Sequence, residues 1–212
     1  MFVSPHCRPP SSTPENNPLR AHHIDALFYI TPIENLKSIL LNGILCRNLM
    51  NQLKKDFYDF SNHKIQERRK AKGLHNYVPL LFNPECALLY DVYNRTKGRV
   101  VVLSIRVDVV MKPGTLITDR NAATKKANIY KLSMENFEKI NFEKIIKRYN
   151  PKLGDDMKQI TQAEVLIKHK VEPDMIYKVI YPAHLKKDVK EIASEAGFYD
   201  IVQNQRLFSF WR

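Results

Sequence analysis

Glu164 places a carboxylate in the middle of an otherwise apolar segment, residues 161–168. Apolar and polar residues alternate along this segment, which is the pattern of a β-strand. Gln162 lies two positions before Glu164, so the two side chains project from the same face of the predicted strand. A buried carboxylate costs free energy unless it is paired or takes part in a reaction, so the two residues could line a small pocket. The alternative is a strand whose outward face meets water, and the pattern alone favours it.

A second candidate group is cationic. Arg68, Arg69 and Lys72 share one face of a predicted helix with Ile65, because residues three, four and seven apart stack on one face. Guanidinium groups pair with phosphate oxygens through two parallel hydrogen bonds, so this face could bind phosphate. Most charged helix faces are only solvated, and without further evidence that interpretation is the better one.

Several other residues have structural explanations of at least equal weight. Thr31 begins a capping box that ends at Glu34, and capping a helix accounts for it fully. Tyr29, Tyr77 and Phe82 fit core positions, although the last two lie near basic residues and could stack on bases.

The charge balance favours a polyanionic partner. Of 212 residues, 34 are Lys or Arg and 22 are Asp or Glu, which gives a formal net charge of +12. Nucleic acid is the first candidate for such a partner and an acidic membrane surface is the second. The length favours one domain with a sizeable core.

Other classes of protein are disfavoured by what the sequence lacks. The three cysteines (Cys7, Cys46 and Cys86) form no CxxC pair, which is typical of a reducing cytoplasm. The seven histidines show no metal-ligand spacing, so no metal is expected. No apolar run approaches the roughly 18–20 residues that a membrane span needs, and residues 1–20 lack the apolar core of a secretory signal. We therefore expect a cytoplasmic protein.

The elements that must position these residues follow from hydrophobic spacing. Strands are predicted at residues 26–30, 77–82, 99–110, 116–118, 161–168, 175–181 and 207–211. Helices are predicted between the capping box and Gly43, within 49–72, at 87–93, at 134–149, and before Gly197. Residues 1–20 are predicted to be a flexible tail and residues 150–159 a loop.

Two of the predicted strands have special features. Pro79 makes 77–82 an edge strand or one with a bulge, because proline cannot donate to a strand ladder. Residues 99–110 alternate in the way of a strand buried on one face. Many short strands with irregularly spaced helices indicate an α+β fold, not a doubly wound parallel sheet.

Five segments, taken together, resemble the DarT family, the DNA ADP-ribosyltransferase toxins of bacterial toxin–antitoxin pairs. The first is FYITPIENL at 28–36 with ILLNG at 39–43, although Pro32 stands where relatives often carry histidine. The others are IQERR at 65–69, LHNYVPLLFNP at 74–84, ITD at 117–119 and QAEVLI at 162–167. The segments occur in the family's order, which makes the resemblance specific.

The resemblance implies an ADP-ribosyltransferase-like fold with a split central β-sheet flanked by helices, formed by residues 21–212 as one catalytic domain. It implies an NAD-dependent enzyme that transfers ADP-ribose, a pentosyl transfer, to a base of single-stranded DNA, with thymidine as the expected base. NAD would be the co-substrate and no metal would be needed. A macrodomain antitoxin that removes the modification would be the expected partner.

The resemblance also assigns residues. Glu164 matches the catalytic glutamate, and either Arg68 or Arg69 matches the functional arginine. Residues expected to contact NAD are Tyr29, Ile30, Thr31, Asn35, Tyr77, Phe82 and Gln162. Basic residues near the predicted target loop are expected to bind DNA phosphates: Arg120, Lys125, Lys126, Lys147, Arg148 and Lys152.

Three alternatives remain open. The acceptor could be RNA or protein instead of DNA. An RNA 2′-phosphotransferase that uses NAD shares the fold ancestry, but its paired basic and histidine motifs are not seen. The chain could also be a catalytically silent nucleic-acid-binding module in which Glu164 is structural.

Overall fold

A mixed β-sheet with helices packed on its faces forms the frame of the protein. The computed structural model describes residues 17–54, 57–58 and 63–210. Its strands are β1 (Ala26–Pro32), β2 (Ile44–Leu45), β3 (Tyr77–Leu81), β4 (Val100–Arg106), β5 (Leu116–Thr118), β6 (Ile129–Lys131), β7 (Glu164–Lys168), β8 (Lys170–Val171), β9 (Ile176–Tyr181) and β10 (Ile201–Gln203). Its α-helices are α1 (Pro18–Ala21), α2 (Leu36–Asn42), α3 (Arg47–Gln52), α4 (His63–Ala71), α5 (Ala87–Arg95), α6 (Met134–Phe137), α7 (Phe142–Ile145), α8 (Asp155–Ile160) and α9 (Lys186–Glu195).

The central sheet is split between β1 and β3. In the described part of the chain, eight strands follow the order β10-β9-β4-β1-β3-β7-β5-β6. Strands β1 and β4 pair along their whole length, from Ala26 to Pro32. Between β1 and β3, which are both fully described, pairing is limited to Phe28 opposite Leu81. The α+β fold with a split sheet that the sequence predicted is therefore confirmed.

Pro79 lies on an interior strand of the sheet, but its backbone is paired on one side only, as on an edge strand. It pairs with Leu166 of β7 on one side. On the other side, the limited pairing between β1 and β3 leaves the β3 backbone open at this position. A residue that has no N–H is therefore tolerated inside the sheet, because no ladder runs past it on that side.

Strand β4 is buried on both faces, so the prediction of a half-buried strand at 99–110 was wrong. Every residue from Val100 to Ile105 is buried, Ser104 included. The strand lies between β1 and β9, and a separate apolar cluster covers each side of this half of the sheet. After Arg106 the chain turns into a 3₁₀ helix, Val107–Met111.

Capping residues divide the helix predicted at 134–149. The Ser133 side chain accepts a hydrogen bond from the Asn136 amide and begins α6, and the Asn141 side chain accepts from the Lys144 amide and begins α7. Apolar spacing continues through both helices, because Phe137, Ile140 and Ile145 all reach the core. The spacing alone therefore could not show the break.

Thr31 does not cap a helix. It lies within β1, whose pairing with β4 continues to Pro32, and the chain then makes a 3₁₀ turn over Ile33–Asn35 before α2. The Thr31 hydroxyl instead accepts a hydrogen bond from the Asn35 side chain, with 3.2 Å between Oγ1 and Nδ2. The predicted capping box was therefore wrong, although the predicted strand and helix are both present.

Both ends of the described chain differ from prediction. Asn17 and Leu19, assigned to a tail by sequence, are buried, and α1 packs on the core; residues 1–16 lie outside the described residues. Residues 207–210 are not a strand, since their backbone amides bond within turns (Phe208 N to the Gln205 carbonyl, 3.2 Å), although Phe208 is buried. The last strand is β10, which pairs parallel to β9. Trp211 is outside the described residues.

The predicted loop at 150–159 contains helix α8, and the predicted strand at 161–168 begins only at Glu164. No helix in the described ranges is long and apolar enough to span a membrane.

Gly43 is the position where the fold most clearly demands glycine. It ends α2 with a φ of +78°, and a Cβ built there would lie 2.2 Å from the Val171 carbonyl oxygen. Gly43→Ala should lower the free energy of unfolding by about 3 kcal/mol or more, since left-handed strain and overlap with backbone add. Urea denaturation measures this loss. Gly154→Ala is the matched control, because a Cβ there meets nothing within 4 Å; equal losses for the two variants would contradict the prediction.

Candidate active site

A buried ion pair between Arg69 and Glu164 forms the centre of the site. The Arg69 Nη1 and Nη2 atoms each lie 3.0 Å from one carboxylate oxygen of Glu164, Oε1 and Oε2 respectively. Only 9% of Arg69 and 4% of Glu164 is exposed. Such a parallel, two-bond pair fixes the orientation of the carboxylate as well as its charge. Arg69 comes from α4 and Glu164 begins β7, so the pair ties a helix to the sheet.

Backbone groups complete the surroundings of Glu164. The Ala122 amide nitrogen lies 3.3 Å from Oε1 and donates to it, and the Glu164 amide donates to the Thr118 hydroxyl at 2.9 Å. A carboxylate offers about four acceptor directions, and Arg69 and Ala122 use three of them. Among the described residues, this leaves one acceptor direction on Oε2. Glu164 can therefore accept one further hydrogen bond while it remains fixed.

The carboxylate faces a cavity of about 540 Å³. Tyr29 and Ile30 line it from β1, Tyr77 and Pro79 from β3, and Glu164 from β7. The cavity therefore lies where the sheet is split, and residues of α2, α4 and α5 complete its walls. A volume within the roughly 300–1,000 Å³ of small-molecule sites fits a dinucleotide-sized ligand better than a single ion.

The structure brings most of the predicted NAD contacts to this cavity. Five of the seven line it: Tyr29, Ile30, Asn35, Tyr77 and Gln162. Thr31 and Phe82 do not. Phe82 packs edge-on against Phe142 in the core, with ring centroids 5.3 Å apart, and Thr31 is only 1% exposed within β1. The structure therefore places these two side chains among buried residues and not at the cavity.

The structure also distinguishes the two candidate arginines. Arg69 is buried and paired with Glu164, whereas Arg68 is exposed at the cavity rim. The sequence could not separate them because adjacent helix positions differ only in which way they point, and the partner that settles the direction is 95 positions away.

Gln162 lies in the turn before β7 and not on the strand. Its side chain bridges two elements, donating to the Lys158 carbonyl at 2.9 Å and accepting from the Asn121 amide group at 3.1 Å. It still lines the cavity beside Glu164, as predicted, although by a different geometry.

Several cavity residues were not identified from sequence. His75, Arg47, Tyr58 and Asn121 all line the cavity. Burial first, and then the charge of Arg47, lowers the pKa of His75 below its ordinary value, so its imidazole is favoured in the neutral form. Of these residues, only His75 lies within a segment that resembles the family, 74–84. Its position in that segment was the one sequence feature that could have identified it as a site residue.

Asn35 holds a neighbouring segment in addition to lining the cavity. Its Oδ1 accepts from the Tyr58 amide at 2.8 Å, and its Nδ2 lies 3.1 Å from the Tyr58 carbonyl oxygen. This paired contact explains why an amide side chain stands here.

The six basic residues predicted to bind DNA fall into two groups. Arg120 and Arg148 are engaged within the protein: Arg120 Nη1 lies 2.7 Å from Asp156 Oδ1, and Arg148 Nη2 donates to the Ser209 carbonyl at 2.7 Å. The four lysines have exposed side chains: Lys125, Lys126, Lys147 and Lys152. None of these six described residues lines the cavity.

Within the ranges that the structure describes, no three His, Cys, Asp or Glu side chains converge as metal ligands would.

Comparison with known proteins gives a consistent result. A family described as "ssDNA thymidine ADP-ribosyltransferase, DarT" matches residues 28–204. A DNA ADP-ribosyl transferase of Thermus sp. is 29% identical over 159 residues, which cover 66% of this chain and 73% of that protein. A DNA ADP-ribosyl transferase–DNA ADP-ribosyl glycohydrolase fusion protein of Thermosipho africanus is 26% identical over 167 residues. The match covers 74% of this chain but spans only 42% of the fusion protein's length.

Solved structures show the same fold. Thermus sp. DarT in complex with ADP-ribosylated ssDNA superposes with a TM-score of 0.74 at 21% identity, covering 89% of this chain and 97% of that one. Thermosipho africanus DarTG in complex with ADP-ribose gives 0.72 at 22% identity, covering 87% and 51%.

Removal of Arg69 tests the importance of the buried pair for stability. Arg69→Met leaves the Glu164 carboxylate buried without its counter-charge and should lower the free energy of unfolding by about 3–5 kcal/mol. Arg68→Met removes the same charge from the exposed neighbouring position and should change it by no more than about 0.5 kcal/mol. Chemical denaturation of both variants checks the difference.

A third variant separates loss of pairing from loss of packing. Arg69→Met combined with Glu164→Leu should recover much of the stability, because no buried charge remains. A double variant no more stable than Arg69→Met would show that the pair is not what stabilises this region.

Proposed function

The chain belongs to the DarT family of ssDNA thymidine ADP-ribosyltransferases, and from that premise we propose that it transfers ADP-ribose from NAD to a thymidine base of single-stranded DNA. The observation that carries the proposal is the fixed Glu164 carboxylate, which retains one acceptor direction and faces the cavity at the split of the sheet. A merely structural ion pair would have no need to line a cavity of this size.

The residues present fit an NAD molecule as substrate. The cavity combines aromatic rings (Tyr29 and Tyr77), guanidinium groups (Arg47 and Arg68) and one oriented carboxylate. Aromatic faces suit the flat rings of a dinucleotide, and guanidinium groups suit its phosphates. When bound, NAD would supply the ADP-ribosyl group: the bond from its ribose to nicotinamide breaks, nicotinamide leaves, and the ribose bonds to the acceptor base, which loses a proton.

Glu164 contributes electrostatic stabilisation. Its remaining Oε2 acceptor direction would take a hydrogen bond from a ribose hydroxyl, and its negative charge would stabilise the positive, oxocarbenium-like charge that grows on the ribose. Arg69 holds the carboxylate in place before the reaction, so no reorientation is needed as the charge develops. Gln162 lies beside Glu164 and would orient the ribose or the acceptor base.

The DNA strand would approach along the exposed lysines. Lys125 and Lys126 follow Asn121, Ala123 and Thr124 of the cavity wall, so phosphates held there would lie near the site. Arg120 and Arg148 contribute less to this path, because carboxylates or carbonyls of the protein already engage them.

The family also supports a biological setting. We infer that the protein acts as a toxin in the cytoplasm, where NAD and DNA are both available, and that a macrodomain antitoxin reverses the modification. The Thermosipho africanus relative, in which a DNA ADP-ribosyl glycohydrolase is fused to the transferase, supports this partner.

The activity is tested by mass spectrometry of a thymidine-containing single-stranded oligonucleotide after incubation with NAD. We expect one added ADP-ribose per modified strand. Glu164→Gln, which keeps the side-chain shape but loses the charge, should reduce the rate by about 10²–10³-fold or more. Consumption of NAD with no DNA adduct would instead indicate an RNA or protein acceptor. DNA binding without NAD consumption would indicate a non-catalytic binding module.

The DNA path is tested by the salt dependence of binding. Lys125→Ala together with Lys126→Ala should weaken binding to single-stranded DNA and reduce the slope of log K against log salt by about 0.7 for each lost phosphate contact. Lys186→Ala with Lys187→Ala is the matched control, because these exposed lysines begin α9 and do not line the cavity. An unchanged slope for the first pair would exclude those lysines from the path.

A further inference from the structure

Lys72 uses its ammonium group within the protein and not toward a phosphate. It follows α4 directly and lies three positions after Arg69, so both side chains leave the same face of the chain. Its Nζ lies 2.9 Å from the Ala122 carbonyl oxygen and 2.6 Å from that of Thr124, and it donates to both. If Lys72 were only a solvated residue on the helix surface, its ammonium group would be hydrogen-bonded to water and not to two carbonyls of one distant segment.

The segment that Lys72 holds, residues 121–124, is the one that contacts the catalytic strand. The Ala122 amide donates to Glu164 Oε1, and the Asn121 side chain donates to Gln162 Oε1. The Asn121 amide also bonds to the Gln159 carbonyl at 2.9 Å. Ala122 is fully buried, so water cannot easily replace its hydrogen bond to the carboxylate.

These contacts form a closed ring. Glu164 is held by Arg69 from α4 and by Ala122 from the 121–124 segment, and Lys72 joins α4 to that same segment. Because Lys72 links α4 to residues 121–124, a shift of one of these two segments would also displace the other relative to the Glu164 carboxylate.

We propose that Lys72 is a positioning residue for the transfer reaction, which keeps the Ala122 amide directed at Glu164 and the Asn121 side chain directed at Gln162. This inference rests on the proposed function. Lys72 does not line the cavity; it acts through the backbone of residues 121–124. Its loss should affect the reacting geometry more than the binding of NAD, because Arg69 continues to hold the carboxylate within the cavity.

The test is steady-state kinetics of Lys72→Met, which keeps most of the apolar stem and removes the three N–H donors. We expect kcat for DNA modification to fall about three- to tenfold, the effect of weakening the one hydrogen bond from the Ala122 amide to Glu164, while KM for NAD stays within about twofold. Lys72→Arg, which keeps donors of sufficient reach, should restore most of kcat. Lys70→Met is the matched control, since it removes an exposed lysine of α4 and should leave kcat and KM unchanged.

The outcomes separate this inference from the proposed function. If the wild-type protein modifies DNA and Lys72→Met has an unaltered kcat, the positioning role is overturned and the proposed function stands. A fall in kcat with a matching fall in melting temperature, and no rescue by Lys72→Arg, would also overturn it in favour of a purely structural role. If the wild-type protein modifies no DNA, the proposed function itself fails.

Discussion

The ion pair between Arg69 and Glu164 is the interaction on which the site depends. Removing two charges from water costs several kcal/mol per ion, and their attraction compensates only when the geometry is close and further hydrogen bonds complete it. Here the two bonds are parallel and equal in length, and Ala122 adds a third to the carboxylate. The position of α4, the start of β7 and the path of residues 121–124 must therefore agree with one another. A site built in this way is oriented before any substrate arrives.

The split of the sheet provides the space that the pair faces. If β1 and β3 paired along their length, their backbones would close the gap that the cavity now occupies. Pairing between them is confined to Phe28 and Leu81, both within the described residues, and Pro79 lacks the N–H that a longer ladder would use. Proline, which is disfavoured in interior strands, therefore helps to prevent β1 and β3 from pairing across the cavity. Side chains of both half-sheets then line one cavity, Tyr29 from β1 and Glu164 from β7.

The large positive charge serves two purposes that the sequence does not separate. Arg69, Arg120, Arg148 and Lys72 are engaged by carboxylates or carbonyls of the protein itself, and so stabilise the site and the elements around it. The exposed lysines remain for a polyanion. A net charge indicates a class of partner, but it overstates how many residues are available to that partner, because internal pairing is a property of the folded chain.

The sequence by itself determined the local elements and the family. Alternation and helical spacing located β1, α2, α5, β5 and β9, because these patterns depend only on which side chains face the core. It also singled out Glu164, since a carboxylate in an apolar segment is conspicuous without any structure. Only the tertiary structure decided which arginine pairs with it, that Thr31 and Phe82 belong to the core, and that Lys72 and Ala122 support the site. The contacts of Arg69, Lys72 and Ala122 join residues 42 to 95 positions apart, and the burial of Thr31 and Phe82 depends on which elements cover them. A local sequence pattern contains neither kind of information.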